Sequence, residues 1–265
     1  MLAAVVRWVQ EGGAGSGMAE IRGLAALLAV VDPSLQLGMA AAVTLFFAIL
    51  GYISLVVTFS GALAGAVVSF ALYGGAGPGA FAVLVLVFAI TWLATRLGYR
   101  RKLTLGTAEK EAGRTARQVL ANLAVAGACA AVYGLFARKD ALLLAMAAAL
   151  SEAVADTVSS ELGQVASRTA RLITSWHEVA AGTDGGVTWM GTLSGAVVAS
   201  LIAAACLAVG LIPVRGVAVA AAAGTAGMLA DSYMGALLER RGRLNNDAVN
   251  FLGTVTAAAL ALLVA

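Results

Sequence analysis

Apolar residues in this chain come in long unbroken blocks, at about 20–31, 35–51, 53–73, 79–95, 116–136, 140–157, 188–211, 214–236 and 247–265. Crossing the roughly 30 Å hydrocarbon core of a bilayer takes about 20 helical residues. Most blocks therefore predict spanning helices, and the first is short enough to lie at the interface instead. Only Gly51-Tyr52 separates the second block from the third, so these two read either as separate spans or as one broken helix. Eight or nine spans result. A transmembrane barrel would show alternating segments of about ten residues. Blocks of Ala, Leu and Val without alternation predict an all-α, polytopic membrane protein, because in lipid every backbone polar group must be satisfied within the chain. Asp32-Pro33, Gly74-Gly75-Ala76-Gly77-Pro78 and Ile212-Pro213 mark tight connections.

Three polar segments interrupt the blocks, at 96–115, 158–187 and 237–246. With Arg117, just past the first of them, they hold twelve of the 17 Lys and Arg residues. Alternating the spans places all three on one face, and the positive-inside rule makes that face cytoplasmic. Nine spans would put the N-terminus inside and the C-terminus outside. Residues 1–18 read as a flexible, Gly-rich N-terminal segment in which Arg7 and Glu11 interrupt any signal-like apolar core. The remainder reads as one integral membrane domain.

Composition narrows the function. Of 265 residues, 61% are hydrophobic and only 12% charged, about half the charge of a soluble domain. The mean hydropathy is +0.94, and no charged residue occurs from Gly38 to Thr95. A net charge of +3, with the basic residues beside apolar spans, is a topology signature and excludes a nucleic-acid partner. Cys129 and Cys206 lie inside apolar runs, which gives no support to a disulfide framework or zinc site. His177 is the only histidine. Three lysines against fourteen arginines, with abundant Ala and Gly, suggest a GC-rich prokaryotic source and hence a prokaryotic cell membrane.

Four polar constellations remain. In Ser151–Gly163, Glu152 and Asp156 are four residues apart and share a helical face that continues to Ser159 or Ser160. Carboxylates in an apolar helix are costly unless they face water, a cation or a partner. Paired with hydroxyls, they suit a hard cation such as Mg²⁺; the alternative is a helix end surfacing into water. In Ala181–Thr188, glycines at 182, 185 and 186 lead into a helix, an arrangement suited to phosphate or simply to a turn that caps the helix. Asp231 lies in an apolar helix, and Asn246, Asp247 and Asn250 open the last span, with Asn245 or Asn246 as N-cap. Between Arg96 and Asn122, seven basic residues face two acidic ones. Lys110 and Arg117 are the candidate phosphate contacts there, and Asn122 sits one turn inside the next helix. Ala155-Asp-Thr and Ala230-Asp-Ser also form a faint internal echo, of the kind that brings acids from two repeats to one pocket.

Glu152-Ala-Val-Ala-Asp-Thr-Val-Ser-Ser-Glu-Leu-Gly163, Arg171-Leu-Ile-Thr174, Gly182-Thr-Asp-Gly-Gly-Val-Thr188 and Leu244-Asn-Asn-Asp-Ala-Val-Asn-Phe-Leu-Gly253 resemble the signature blocks of an integral membrane family that includes the phytyl-phosphate kinases of vitamin E biosynthesis. The resemblance runs from about Phe59 to the C-terminus. It departs at Val179-Ala-Ala-Gly182, where the family carries a proline, and at Thr188 and Trp189. It implies an Mg²⁺-dependent phosphotransferase that converts a phytyl or other isoprenoid monophosphate to the diphosphate, with a nucleoside triphosphate as donor and CTP favoured by analogy. Partners would be membrane lipid, the isoprenoid monophosphate and the nucleotide. Glu152, Asp156 and Asp231 would be catalytic through the metal, joined as ligands by Glu161 and Asp247. Lys110, Ser160, Arg171, Gly182, Thr183, Asp184, Gly185 and Gly186 would hold phosphates, oriented by Asn122, Asn246 and Asn250. A CTP-dependent prenol kinase or cytidylyltransferase is the nearest alternative, and a secondary transporter the alternative from another class.

Overall fold

In the computed structural model the described residues are 33–105, 113–136 and 138–265. Contacts divide the chain into compact units 1–39 and 40–265. The first unit is described only from Pro33, where α1 opens; the block at 20–31, the 1–18 segment and Lys110 lie outside the described residues. Among the described residues, eight helices of 18 residues or more follow one another: α1 Pro33–Ile53, α2 Phe59–Ala76, α3 Pro78–Arg96, α5 Ala116–Leu135, α6 Asp140–Ala166, α7 Trp189–Ala208, α8 Val214–Met234 and α9 Asn246–Val264. Seven are long and apolar enough to cross a membrane. The eighth, α8, has the length but is Ala- and Gly-rich and carries Arg215 and Asp231. A short helix, α4 (Tyr99–Leu105), follows α3, and a π-helical turn, Gly235–Glu239, extends α8.

The second and third blocks form two helices, not one broken helix. Leu55 adopts a left-handed φ of 57° in the turn between them, and the Thr58 hydroxyl caps α2 by accepting from Gly61 N–H at 3.1 Å. The segment 158–187 is not simply a loop. α6 runs on to Ala166, and the remainder contains an antiparallel sheet of β1 (Thr169–Leu172), β2 (Glu178–Ala180) and β3 (Gly186–Val187), ordered β2-β1-β3. Arg171 pairs with Glu178 on one side and Val187 on the other.

α6 is the axis of the second unit. Ala145 to Leu150 are completely buried, and the helix packs against α3, α5, α7, α8 and α9. At 1.5 Å per residue its 27 residues extend about 40 Å, longer than the roughly 30 Å hydrocarbon core. The connections after Ile53, Arg96, Ala166 and Met234 gather at that end. Val57 bridges Arg114, and Gly185 lies against Gly235 and Ala236.

Helices that start on this face carry polar caps. Thr58 opens α2; Thr115 opens α5, and the Gln118 side chain returns to its N–H at 2.8 Å. Thr188 Oγ1 accepts from Gly191 N–H at 3.0 Å to open α7, and Asn245 Oδ1 from Ala248 N–H at 2.9 Å to open α9. Helices that start on the other face, after Gly77, Lys139 and Pro213, have no side-chain cap. Each cap is worth about 1 kcal/mol. The capped ends of α5, α7 and α9 also direct the positive poles of their helices toward one region.

Candidate active site

That region is a cavity of about 370 Å³ walled by the starts of α5 and α9, the end of α6, the glycine loop before α7 and the end of α8. The length of α6 places Asp156 about 24 Å from its start, at the polar end of the span, and the side chain lines the cavity. Asp231 comes in from α8. With its amide nitrogen turned inward, Asn250 donates to Asp231 Oδ2 at 3.3 Å and to the Asn246 carbonyl at 3.1 Å. The expected asparagine face of α9 therefore orients one of the two acids. Asn122 donates to the Gln118 carbonyl at 2.9 Å, and both residues face the same space.

The five expected metal ligands do not gather as a set. Glu161 lines the cavity but is ion-paired with Lys102, which is 1% exposed and also donates to the carbonyls of Ala94 and Thr95. Asp247 is half-buried on the first turn of α9 and does not line the cavity. Glu152 lies one turn deeper, 1% exposed, with no hydrogen-bond partner for Oε1 among the described residues. Gly227 and Gly253 leave it room: a Cβ at Gly227 would lie 2.7 Å from Glu152 Cγ, and one at Gly253 would collide with the carboxyl group. No cluster of three or more His, Cys, Asp or Glu residues suited to a metal occurs among the described residues. Of the five expected ligands, Asp156 and Asp231 line the cavity alongside the lysine-paired Glu161.

The glycine loop forms one wall. Gly182, Thr183, Asp184, Gly185 and Gly186 all line it, as does Ser160. Gly185 has φ +74°, and a Cβ there would lie 2.5 Å from Ala236 N, so only glycine fits against the π turn. Fewer amides are available to an anion than the sequence suggests, because Thr183 N–H donates to Ala180 and Gly186 N–H to Thr183. Arg171 lies apart: it is exposed on β1, and its guanidinium donates to the Trp176 carbonyl at 2.9 Å. Arg117 is exposed on α5 and also outside the lining.

Several lining residues were not among the expected site residues, including Arg114, Gln118, Ser232 and Glu239. The available signal was the spacing of Thr115 and Gln118, that of a capping box, which sets the start of α5 beside Arg114. Arg114 is the one basic residue among the described lining residues, against Asp156, Glu161, Asp184, Asp231 and Glu239. Burial, then the carboxylates of Asp184, Asp156 and Asp247, push Glu239 up to about 7.

A second cavity, of about 440 Å³, adjoins the first. It is lined by apolar residues of α1, α2, α3 and α5, including Phe47, Leu50, Ala62, Gly65, Phe81 and Phe88. Arg114, Gln118 and Asn122 line both cavities. A polar chamber at the end of the helices thus joins an apolar one between them.

Residues 42–258 match the family described as "Integral membrane protein DUF92". The chain is 36% identical over 187 residues to the uncharacterized membrane protein MJ0933 of Methanocaldococcus jannaschii, covering 69% of this chain and 74% of that protein. It is 31% identical over 186 residues to the uncharacterized membrane protein sll0875 of Synechocystis, covering 69% and 72%. It is also 31% identical over 199 residues to the chloroplastic protein VTE6 of Arabidopsis thaliana, covering 72% of this chain and 59% of VTE6. No solved structure matches the chain. With the match spanning all the elements that build the two cavities, the chain belongs to the DUF92 family of integral membrane proteins.

Proposed function

We propose that the protein is a membrane-embedded isoprenoid monophosphate kinase. The observation that carries this reading is the seam between the two cavities. An acceptor with a long apolar tail and a charged head fits a chamber of each kind, joined at Arg114, Gln118 and Asn122. The similarity to VTE6 and the resemblance of the motifs to the phytyl-phosphate kinase family support the same class of reaction.

The tail would lie among α1, α2, α3 and α5, and the phosphate would stand in the polar cavity, reached by the nucleotide from water. A phosphate oxygen of the acceptor attacks the γ-phosphorus, the bond to the bridging β–γ oxygen breaks, and the products are the prenyl diphosphate and a nucleoside diphosphate. The attacking oxygen is already anionic, so no general base is required. Such catalysis is mostly positioning and charge neutralisation. With five acids and one arginine on the described lining, a bare triphosphate would be repelled. The donor set therefore fits Mg²⁺, which typically binds one or two carboxylates together with substrate phosphates. Asp156 and Asp231 would hold it, and its charge would offset that of the transferred phosphoryl group. The Arg/Lys-rich connections support a cytoplasmic location for this face through the positive-inside rule.

The test is purified protein in detergent with Mg²⁺, labelled nucleoside triphosphates and a panel of prenols and prenyl monophosphates. Formation of prenyl diphosphate is the expected result. Phosphorylation of the alcohol alone would favour a prenol kinase. Nucleotide-independent uptake into sealed vesicles, with no diphosphate formed, would replace the kinase by a transporter.

A further inference from the structure

We propose that Arg114 grips the acceptor's phosphate and selects a monophosphate over the free alcohol; the proposal rests on the kinase reading above. Arg114 lines the polar cavity, the apolar cavity and a third cavity bounded by Trp92, Arg96 and Tyr99. It stands where an amphipathic acceptor passes from tail to head.

Its position is built. Arg114 N–H donates to the Val56 carbonyl at 3.0 Å, and its own carbonyl accepts from Thr58 N–H at 3.0 Å and from the Thr58 hydroxyl at 3.3 Å. Gly113 precedes it at φ +79°, where a Cβ would lie 2.6 Å from the Val56 carbonyl carbon. Gly61 passes so close to the Arg114 carbonyl that a side chain there would collide with it. On the other side the Thr115–Gln118 capping box starts α5. The backbone is thus fixed to the α1–α2 connection on one side and to a helix start on the other, so the half-buried side chain leaves from a rigid base.

The chemistry follows from the surroundings. Hydroxyls, amides and apolar atoms accept an alcohol or a phosphate alike, whereas the acids on the lining disfavour an anion. Arg114 is the one cation the described lining offers, and its charge acts on Asp156. A guanidinium presents a planar fork matched to two phosphate oxygens, while an alcohol gains little from it. A polar group built for an anion discriminates strongly against a ligand that lacks the anion.

Purified wild type and R114Q are titrated in detergent with geranylgeranyl monophosphate and with geranylgeraniol, and Kd is followed by ligand-induced thermal stabilisation without nucleotide. R114Q is expected to weaken monophosphate binding by about tenfold or more and to leave the alcohol unchanged. Should R114Q not fold, R114K keeps the charge without the fork, and the same selective loss at smaller size is expected. Equal losses for both ligands, or none, overturn the proposal. If the selective loss is seen but wild type forms no diphosphate with any nucleotide, the kinase reading fails and Arg114 remains a phosphate-binding residue.

Discussion

The two cavities are neighbours made in opposite ways. The polar one is built from helix ends and connections: the capped starts of α5, α7 and α9, the end of α6, the glycine loop and the π turn. The apolar one is built mainly from the sides of helices, with Phe47, Phe81 and Phe88 in its wall. Helix ends leave backbone groups for caps and ligands, whereas helix sides offer only side chains. The difference teaches a division of labour: the first cavity can handle charge, and the second can only measure shape and length.

The comparison breaks most severely at the acids. Asp156→Asn and Asp231→Asn are each expected to lower kcat about a hundredfold or more, with the protein still extracted as a folded species. Turnover of labelled nucleotide checks this, and near-normal rates in both variants would move the chemistry out of the polar cavity. A second break concerns the rim, where Lys102 is buried against Glu161. Lys102→Met should destabilise the fold by roughly 3 kcal/mol, because it removes the buried ammonium that offsets a largely buried carboxylate. Thermal unfolding in detergent should show the loss, and Glu161→Gln in the same chain should recover most of it.

The apolar side is sharpened by Gly65→Leu. Gly65 lines the apolar cavity, and a Cβ there would meet nothing within 4 Å, so the new side chain fills space without displacing a neighbour. Turnover of long-chain acceptors should fall about tenfold while short-chain acceptors keep their rate. Equal loss for all lengths would mean that the tail lies elsewhere.

The smallest effect concerns pH. Glu239 ionises near 7 in the folded chain, above its ordinary value of 4.5. The folded state therefore holds the proton more tightly than the unfolded state, and this contribution to stability is lost as pH rises from about 4.5 through 7. Glu239→Gln should match wild type at low pH and exceed it slightly above pH 7, as read from unfolding curves across that range. A variant less stable than wild type at pH 8 would reverse the sign.

Much of the site could be read from the chain because helical periodicity reports which residues share a face. Glu152 and Asp156 are four apart, as are Asn246 and Asn250, and Asn245 caps α9 as one of the two expected candidates. Periodicity does not report depth. Glu152 and Asp156 lie on the same face, yet one is enclosed between Gly227 and Gly253 and the other lines the cavity. Nor does local charge identify the useful cation. In the basic segment Arg117 points away and Arg114 faces the site, because the bridge to Val57 and the capping box at Thr115 fix the chain between them.

By itself the sequence determined the helical membrane class, the side on which its polar segments collect and the helix faces that carry acids. Those properties follow from the solvent: lipid tolerates neither unpaired backbone nor scattered charge. Only the tertiary structure decided that α8 and α9 enclose Glu152 with glycines, that Lys102 occupies Glu161, that Arg171 stays outside, and that an apolar chamber meets the polar one at Arg114. Each of these depends on contacts between residues far apart in the chain, and no periodicity within one helix encodes which neighbour will stand opposite.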